Sequence, residues 1–316
     1  MDTQAQEHFI TLPLVGKEEE SVDLPLVINV IAKYWGEDIA PKVVSGSASI
    51  QKGTILIDGV ELAEKHGFVS YIYKGSMKDL KKRIDQGIPP IVIMPGIQGI
   101  VQHATVVSGY DTEERRILTY VPEPDTVGAI PERKFEEDWS QDDMTTIVVL
   151  PADMKDLFKN EELNFKTSNR LCFEAERYRQ RGNMEAAFEK ARSAISIDPD
   201  NAQAWCLLAG LCNEIGSEET ISLYQKAIGL NPNYYLAYRG LGNHYLKKQN
   251  FSLAERHYSR AIEINSARFG PIYKNRAIAR MQLGSNQLAK EDLQRYIDQT
   301  PAAEDRKSIE DAMLQL

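Results

Sequence analysis

Small and apolar residues return at a fixed interval through the second half of the chain. Ala175, Ala209, Gly242 and Ala277 follow one another at 34, 33 and 35 residues, and Ala194, Ala227 and Ala261 at 33 and 34. Tyr224 and Tyr258 form a third series, 34 apart. Pro199, Pro232 and Pro301 punctuate the ends, with Ser266 standing in the remaining place. A period of this length with small residues at fixed offsets predicts paired helices that stack. The small residues let two helices approach closely, while Trp205, Leu208, Tyr238, Leu241, Tyr245 and Tyr273 fill the gaps between neighbours. One pair cannot bury its own apolar face, so several must stack and present a surface. The pattern divides into four repeats, about 168–201, 202–234, 235–269 and 270–301. The remaining stretch, 302–316, reads as a cap helix, with Glu304, Asp305, Arg306, Lys307, Glu310 and Asp311 keeping one face polar.

The first half follows other periods. Residues 23–36 form an apolar run with Pro25 near its start and Gly36 at its end, which predicts a buried helix. A second helix is expected over 58–66, closed by Gly67, and a third over 76–86, opened by Ser76 as N-cap and closed by Gly87. Residues 68–73 alternate like a strand. Strand-like segments follow at 90–94, 102–110, 116–120 and 145–150, with a short helix at 132–139. Helices first and an antiparallel sheet afterwards predict an α+β domain over 1–150. The charged stretch 151–167 reads as a linker to the repeats.

The repeats resemble the tetratricopeptide family. Ala204-Trp205-Cys206-Leu207-Leu208-Ala209 followed by Gly216, and Ala237-Tyr238-Arg239-Gly240-Leu241-Gly242 followed by Tyr245, match its first-helix pattern. Leu223-Tyr224-Gln225-Lys226-Ala227-Ile228 with Asn231-Pro232, and His257-Tyr258-Ser259-Arg260-Ala261-Ile262, match its second helix and exit turn. The resemblance implies an all-α solenoid that binds a protein or peptide partner. Arg239 and Asn243 stand at the fifth and ninth positions of the third repeat, and Asn275 at the sixth of the fourth. In some members a basic residue and asparagines at such positions clamp the terminal carboxylate of a peptide. Charged and amide donors converging in a groove suit a carboxylate.

Three strings in the first half resemble a papain-like cysteine peptidase domain of the double-glycine, bacteriocin-processing branch. The run from Asp23-Leu24-Pro25 to Tyr34-Trp35-Gly36 looks like the nucleophile helix of that family. Gln102-His103-Ala104-Thr105-Val106-Val107-Ser108-Gly109-Tyr110-Asp111 looks like its catalytic-histidine strand. Tyr120-Val121-Pro122 through Gly128, with Phe135 and Trp139, looks like the segment that carries the third catalytic residue. The resemblance places Asp23 at the cysteine position, Lys17 at that of the oxyanion-hole glutamine and Val121 at that of the aspartate, so that only His103 remains. Thiol catalysis needs a thiolate, a base within reach and an orienter for that base. No cysteine precedes Cys172. The expectation is a papain-like shell without peptidase chemistry. The alternative is a hydrolase or transferase that uses His103 with an unconventional nucleophile or with Asp23.

Charge narrows the partners. Up to residue 167 the chain carries 17 basic and 28 acidic side chains, and from 168 onward 20 and 18, within a net charge of −9. An acidic first half and a near-neutral second argue against nucleic acid, which needs clustered cations. No apolar run reaches the length of a membrane span, and Met1–Glu7 lacks the basic start and apolar core of a signal peptide. Cytoplasmic residence is therefore expected. Cys172, Cys206 and Cys212 all fall on repeat helices, which suits reduced buried thiols better than disulfides. No metal-ligand spacing occurs, and no cofactor is expected. The whole reads as a non-catalytic adaptor or scaffold.

Overall fold

A computed structural model of the chain describes residues 7–13, 26–39, 55–96, 102–121, 126–301 and 303–316. They form two compact units. The first comprises Met1–Ile93, Ala104–Trp139 and Met144–Lys190; the second comprises Met94–His103, Ser140–Asp143 and Ala191–Leu316.

The first unit is built on one sheet. Its strands are β1 (Glu7–Phe9), β2 (Phe68–Lys74), β3 (Ile91–Pro95), β4 (Gln102–Asp111), β5 (Arg116–Val121), β6 (Thr126–Pro131) and β7 (Thr145–Pro151). They lie in the order β2-β7-β3-β4-β5-β6, with β1 pairing β4 off this path. The ladder β2–β7 runs unbroken from Phe68↔Pro151 to Lys74↔Thr145, antiparallel. Between β4 and β5 the register shifts at Val107/Gly109. A Cβ on Gly109 would stand 2.4 Å from the His8 carbonyl oxygen, so only glycine lets β1 lie there.

Helices α1 (Leu26–Tyr34), α2 (Ile55–Lys65), α3 (Met77–Asp85) and α4 (Glu132–Ser140) complete the α+β part. The α1 run is apolar on nearly every face because the fold buries it: Ile28, Val30 and Ile31 are sealed against Val60, Ile72, Ile91, Val106 and Val149. Trp35 donates Nε1–H to the Val149 carbonyl at 3.0 Å. Ser76 caps α3, its side-chain oxygen accepting the Asp79 N–H at 3.1 Å. In α4, Phe135 and Trp139 are fully buried and carry the amphipathic face.

The structure departs from the expectations at three points. Helices do not precede the sheet; strands are interleaved from the start, with β1 first and β2 between α2 and α3. Residues 126–131 form a strand that local pattern does not announce. They hold a glycine and end in a proline, and pairing with β5 rather than intrinsic preference makes them extended. The stretch 151–167, read as a linker from its charge, lies within the first unit. A 3-10 turn occupies Ala152–Phe158, and Phe158 and Leu163 are buried with Tyr73, Ile88, Val148 and Leu150.

Phe158 has a specific task there. The Arg83 guanidinium lies 4.4 Å from its ring centroid, and Arg83 is 1% exposed. Arg83 donates to Asp79 at 2.7 Å, to Glu161 at 2.6 Å and to Gln86 at 2.9 Å. The Arg83 hydrogen bond holds the Glu161 carboxyl down at about 2, with Lys82 adding to it. A depressed carboxyl contributes stability above its unfolded pKa, and this is lost as pH falls through the folded value. We therefore expect an acid loss of about 1–2 kcal/mol between roughly pH 4.3 and pH 2, part of the shift being screened by solvent. Glu161→Gln should remove that share of the slope from the denaturation midpoint plotted against pH. An unchanged slope would assign the acid loss to other carboxylates.

The helix pairs follow. They are α5 (Lys166–Gln180) with α6 (Met184–Ile197), α7 (Ala202–Ile215) with α8 (Thr220–Leu230), α9 (Tyr235–Lys247) with α10 (Phe251–Ile264), and α11 (Pro271–Gln282) with α12 (Asn286–Gln299). A last helix, α13, spans Arg306–Gln315. The first of these, α5, is fastened within the first unit. Arg170 donates to Glu64 at 2.6 and 3.0 Å, and Arg177 and Arg181 reach Glu61 at 3.0 and 2.7 Å. In the second unit, the alanines of the 34-residue series are fully buried. Cβ atoms on Gly240 and Gly242 would come within 2.3 Å of the Tyr224 ring and 2.5 Å of the Tyr258 ring. The two tyrosine positions, 34 apart, thus each demand a glycine on the facing helix.

Candidate functional site

Helix α9 places Tyr235, Arg239 and Asn243 at successive four-residue steps, hence on one face. Tyr235 is fully buried, yet its hydroxyl has no hydrogen-bond partner. The Arg239 Nε is buried and equally unpartnered. The ring of Phe269 lies 5.2 Å from the Arg239 guanidinium carbon. Burial pulls the Arg239 guanidinium below its ordinary range, and the like charge of Arg268 adds to this. Burial pushes the Tyr235 hydroxyl up to about 12, so it stays a donor. Two buried donors on one helix face, each without an acceptor, are a costly arrangement.

One turn further on, Asn243 and Asn275 meet. The Asn275 amide donates to the Asn243 oxygen at 3.4 Å, and the Tyr258 hydroxyl donates to the same oxygen at 2.8 Å. Both asparagines are half-buried. The structure thus brings Asn243 and Asn275 into contact and sets Arg239 one turn before Asn243 on α9. The sequence reading missed Tyr235, whose signal was its place four residues before Arg239.

At the start of α9 sits a cluster that no local pattern announced. Arg268 and Asp142 are both fully buried, with Arg268 donating to Asp142 at 2.5 Å. Gln102 donates its amide to the same carboxylate oxygen at 2.6 Å. The Arg268 guanidinium stacks 4.2 Å from the Tyr235 ring centroid. Burial raises the Asp142 carboxyl, while Arg268 and Gln102 pull it back. The neighbouring residues are held too. Asn231 donates to the Ser140 carbonyl at 2.9 Å and to Asp143 at 3.0 Å, and Asn265 donates to the Gln141 side chain at 3.2 Å. The Gln141 carbonyl accepts from the Tyr235 N–H at 3.4 Å. Asn231 and Asn265 are equivalent exit-turn positions of two repeats, 34 residues apart.

His103 belongs to this second unit. Its Nδ1 lies 2.7 Å from the Pro95 carbonyl oxygen, and a carbonyl only accepts, so Nδ1 carries the proton. Burial lowers the imidazole below its usual range, and Arg268 acts in the same direction, so His103 is neutral near pH 7. Lys17 and Asp23 lie outside the described residues. Val121 closes β5 opposite Thr126; its side chain also lies outside them. No group of three or more metal-ligating side chains occurs among the described residues. Cys172, Cys206 and Cys212 are buried and form no disulfide among the described residues, and burial pushes the Cys206 thiol up to about 12. No described helix is long and apolar enough to cross a membrane.

No protein-family model matches the sequence, and no curated protein matches it. Solved structures do. A thermophilic TPR protein of Thermus thermophilus is 17% identical with a TM-score of 0.40, the match covering 51% of this chain and 86% of that one. PilF of Pseudomonas aeruginosa is 20% identical with a TM-score of 0.42, over 47% and 67% of the two chains. PilW, described as a widely conserved type IV pilus biogenesis factor, is 25% identical with a TM-score of 0.40, over 48% and 70%. The chain's own helix pairs, returning about every 34 residues, make its second half a tetratricopeptide-like helical solenoid.

Proposed function

We propose that this protein is a non-catalytic adaptor that binds an acidic segment of a protein partner on the α9–α11 face of its repeats. Residues 168–301 supply the four repeats and 302–316 their cap. Residues 1–150 are, in this reading, a degenerate papain-like domain, and 151–167 pack into the same unit. Arg239, with its buried, unpartnered Nε beside the unpartnered Tyr235 hydroxyl, carries the reading. A carboxylate bound there would accept from both, and Asn243 and Asn275 would extend the contact along the peptide. A charge-assisted hydrogen bond contributes about 1.5–3 kcal/mol, which makes the carboxylate the recognised group. The absence of peptidase chemistry is supported by the residues at the family's catalytic positions, Asp23 and Val121. The His103 Nδ1–H is engaged by a backbone carbonyl, where the family would have an orienting carboxylate.

Fluorescence anisotropy with paired peptides tests this. Acidic peptides ending in a free carboxylate should bind the full chain at least tenfold tighter than the same peptides ending in an amide. Asn243→Ala should weaken both forms severalfold and leave their ratio in place. Equal binding of the two forms across a varied panel would remove the carboxylate from the reading.

A further inference from the structure

The turn Ser140–Asp143 is held as a bound peptide is held. Its contacts come from helix pairs far along the chain and reach both backbone and side chains. Asn231 donates to the Ser140 carbonyl at 2.9 Å, and Tyr235 N–H and Arg268 donate to the Gln141 carbonyl at 3.4 and 3.5 Å. Asn265 takes the Gln141 side chain, Arg268 the Asp142 carboxylate and Asn231 the Asp143 carboxylate. Backbone carbonyls and two adjacent carboxylates are thus read by amides and one guanidinium, which is peptide recognition chemistry. The turn is bent to fit. Asp143 and Met144 both take φ of +54°, a left-handed conformation that methionine rarely adopts.

We propose that the notch formed by Asn231, Tyr235, Asn265 and Arg268 is a receptor for a segment carrying two adjacent aspartates, and that Ser140–Asp143 occupies it in cis as a competitor. This rests on the reading that the repeat face of this unit binds acidic partner segments. A free peptide with the same residues need not carry the strain at the two left-handed positions, so it can displace the turn when present in excess. Asp142 also lies in the field of Arg239. The turn therefore lowers the positive potential that an acidic partner would meet at the neighbouring α9 face, and partner binding relieves both.

The probe is an acetylated, C-terminally amidated peptide copying residues 137–145, labelled with a fluorophore. Full-length Asp142→Asn keeps an oxygen for Arg268 but removes the competing charge. It should bind the peptide at least tenfold tighter than the wild-type chain does. A peptide with asparagine at the positions of Asp142 and Asp143 should bind neither. Equal affinity for the two chains would overturn the proposal. Because Asp142→Asn can unsettle a buried pair, the wild-type chain provides a second measurement. Saturating peptide should speed hydrogen exchange of the amides at 141–144 at least fivefold, and unchanged exchange would also overturn it. The peptide has no free carboxyl terminus, so a failure of carboxylate-end selectivity at Arg239 leaves this result standing.

Discussion

Replacing Arg268 by methionine is expected to destabilise the protein by about 3–5 kcal/mol, the usual cost of orphaning one member of a buried ion pair. Both partners are fully buried, and Arg268 also stacks on Tyr235. Without the guanidinium, Asp142 loses its charged partner while the Gln102 amide stays in place, inside a site that water does not reach. Its carboxyl would then rise well above the raised position that it already holds. The sign follows. A folded-state carboxyl with a raised pKa binds a proton that the unfolded chain, near pH 4, does not. The variant should therefore regain stability as pH falls through the raised value, with no further gain below about 4. The double variant Arg268→Met/Asp142→Leu should recover most of the loss at neutral pH, since apolar replacement of a whole buried pair is often neutral or better. Urea denaturation of the two single variants and the double closes the cycle. Additive losses would show that the two side chains act independently.

Arg239→Met has the opposite signature. Stability should rise by about 1–2 kcal/mol, because the substitution removes a buried donor that has no partner. Methionine offers an apolar side chain to the Phe269 ring, over which the guanidinium now lies. Binding should move the other way, with affinity for carboxylate-ended peptides falling by roughly 10–100-fold. A site that holds donors unpaired until a ligand arrives is expected to trade stability for function in this manner. Thermal unfolding and anisotropy on the same preparations read both quantities. Lower stability with unchanged binding would make Arg239 a structural residue and leave the face without its anchor.

The repeats were legible because their stabilising contacts are local. A helix pair with its alanines, its tyrosines and its exit turn is encoded within about 34 residues, and stacking repeats the code. Arg239 and Asn243 were legible for the same reason, since four-residue spacing fixes a shared helix face. The strands of the first unit showed their alternation, but β6 did not, because a glycine-containing edge segment is extended by its neighbour rather than by itself. Phe158 and Leu163 were hidden among charges, and their partners Tyr73, Ile88 and Val148 come from separate strands and turns. Arg83 explains why that charged stretch is ordered: Glu161 is there to meet a buried guanidinium 78 residues earlier.

Sequence by itself determined the solenoid, the α+β character of the first half and the residues of the α9 face. These follow from periodicity and residue chemistry, which act over short spans. Tertiary structure alone decided that Arg268 meets Asp142, 126 residues away, and that Asn231 and Asn265 close on Ser140 and Gln141. It also decided that the Tyr235 hydroxyl and the Arg239 Nε remain unpaired. Whether a polar group finds a partner depends on what folding brings within about 3 Å of it, and no spacing along the chain records that distance.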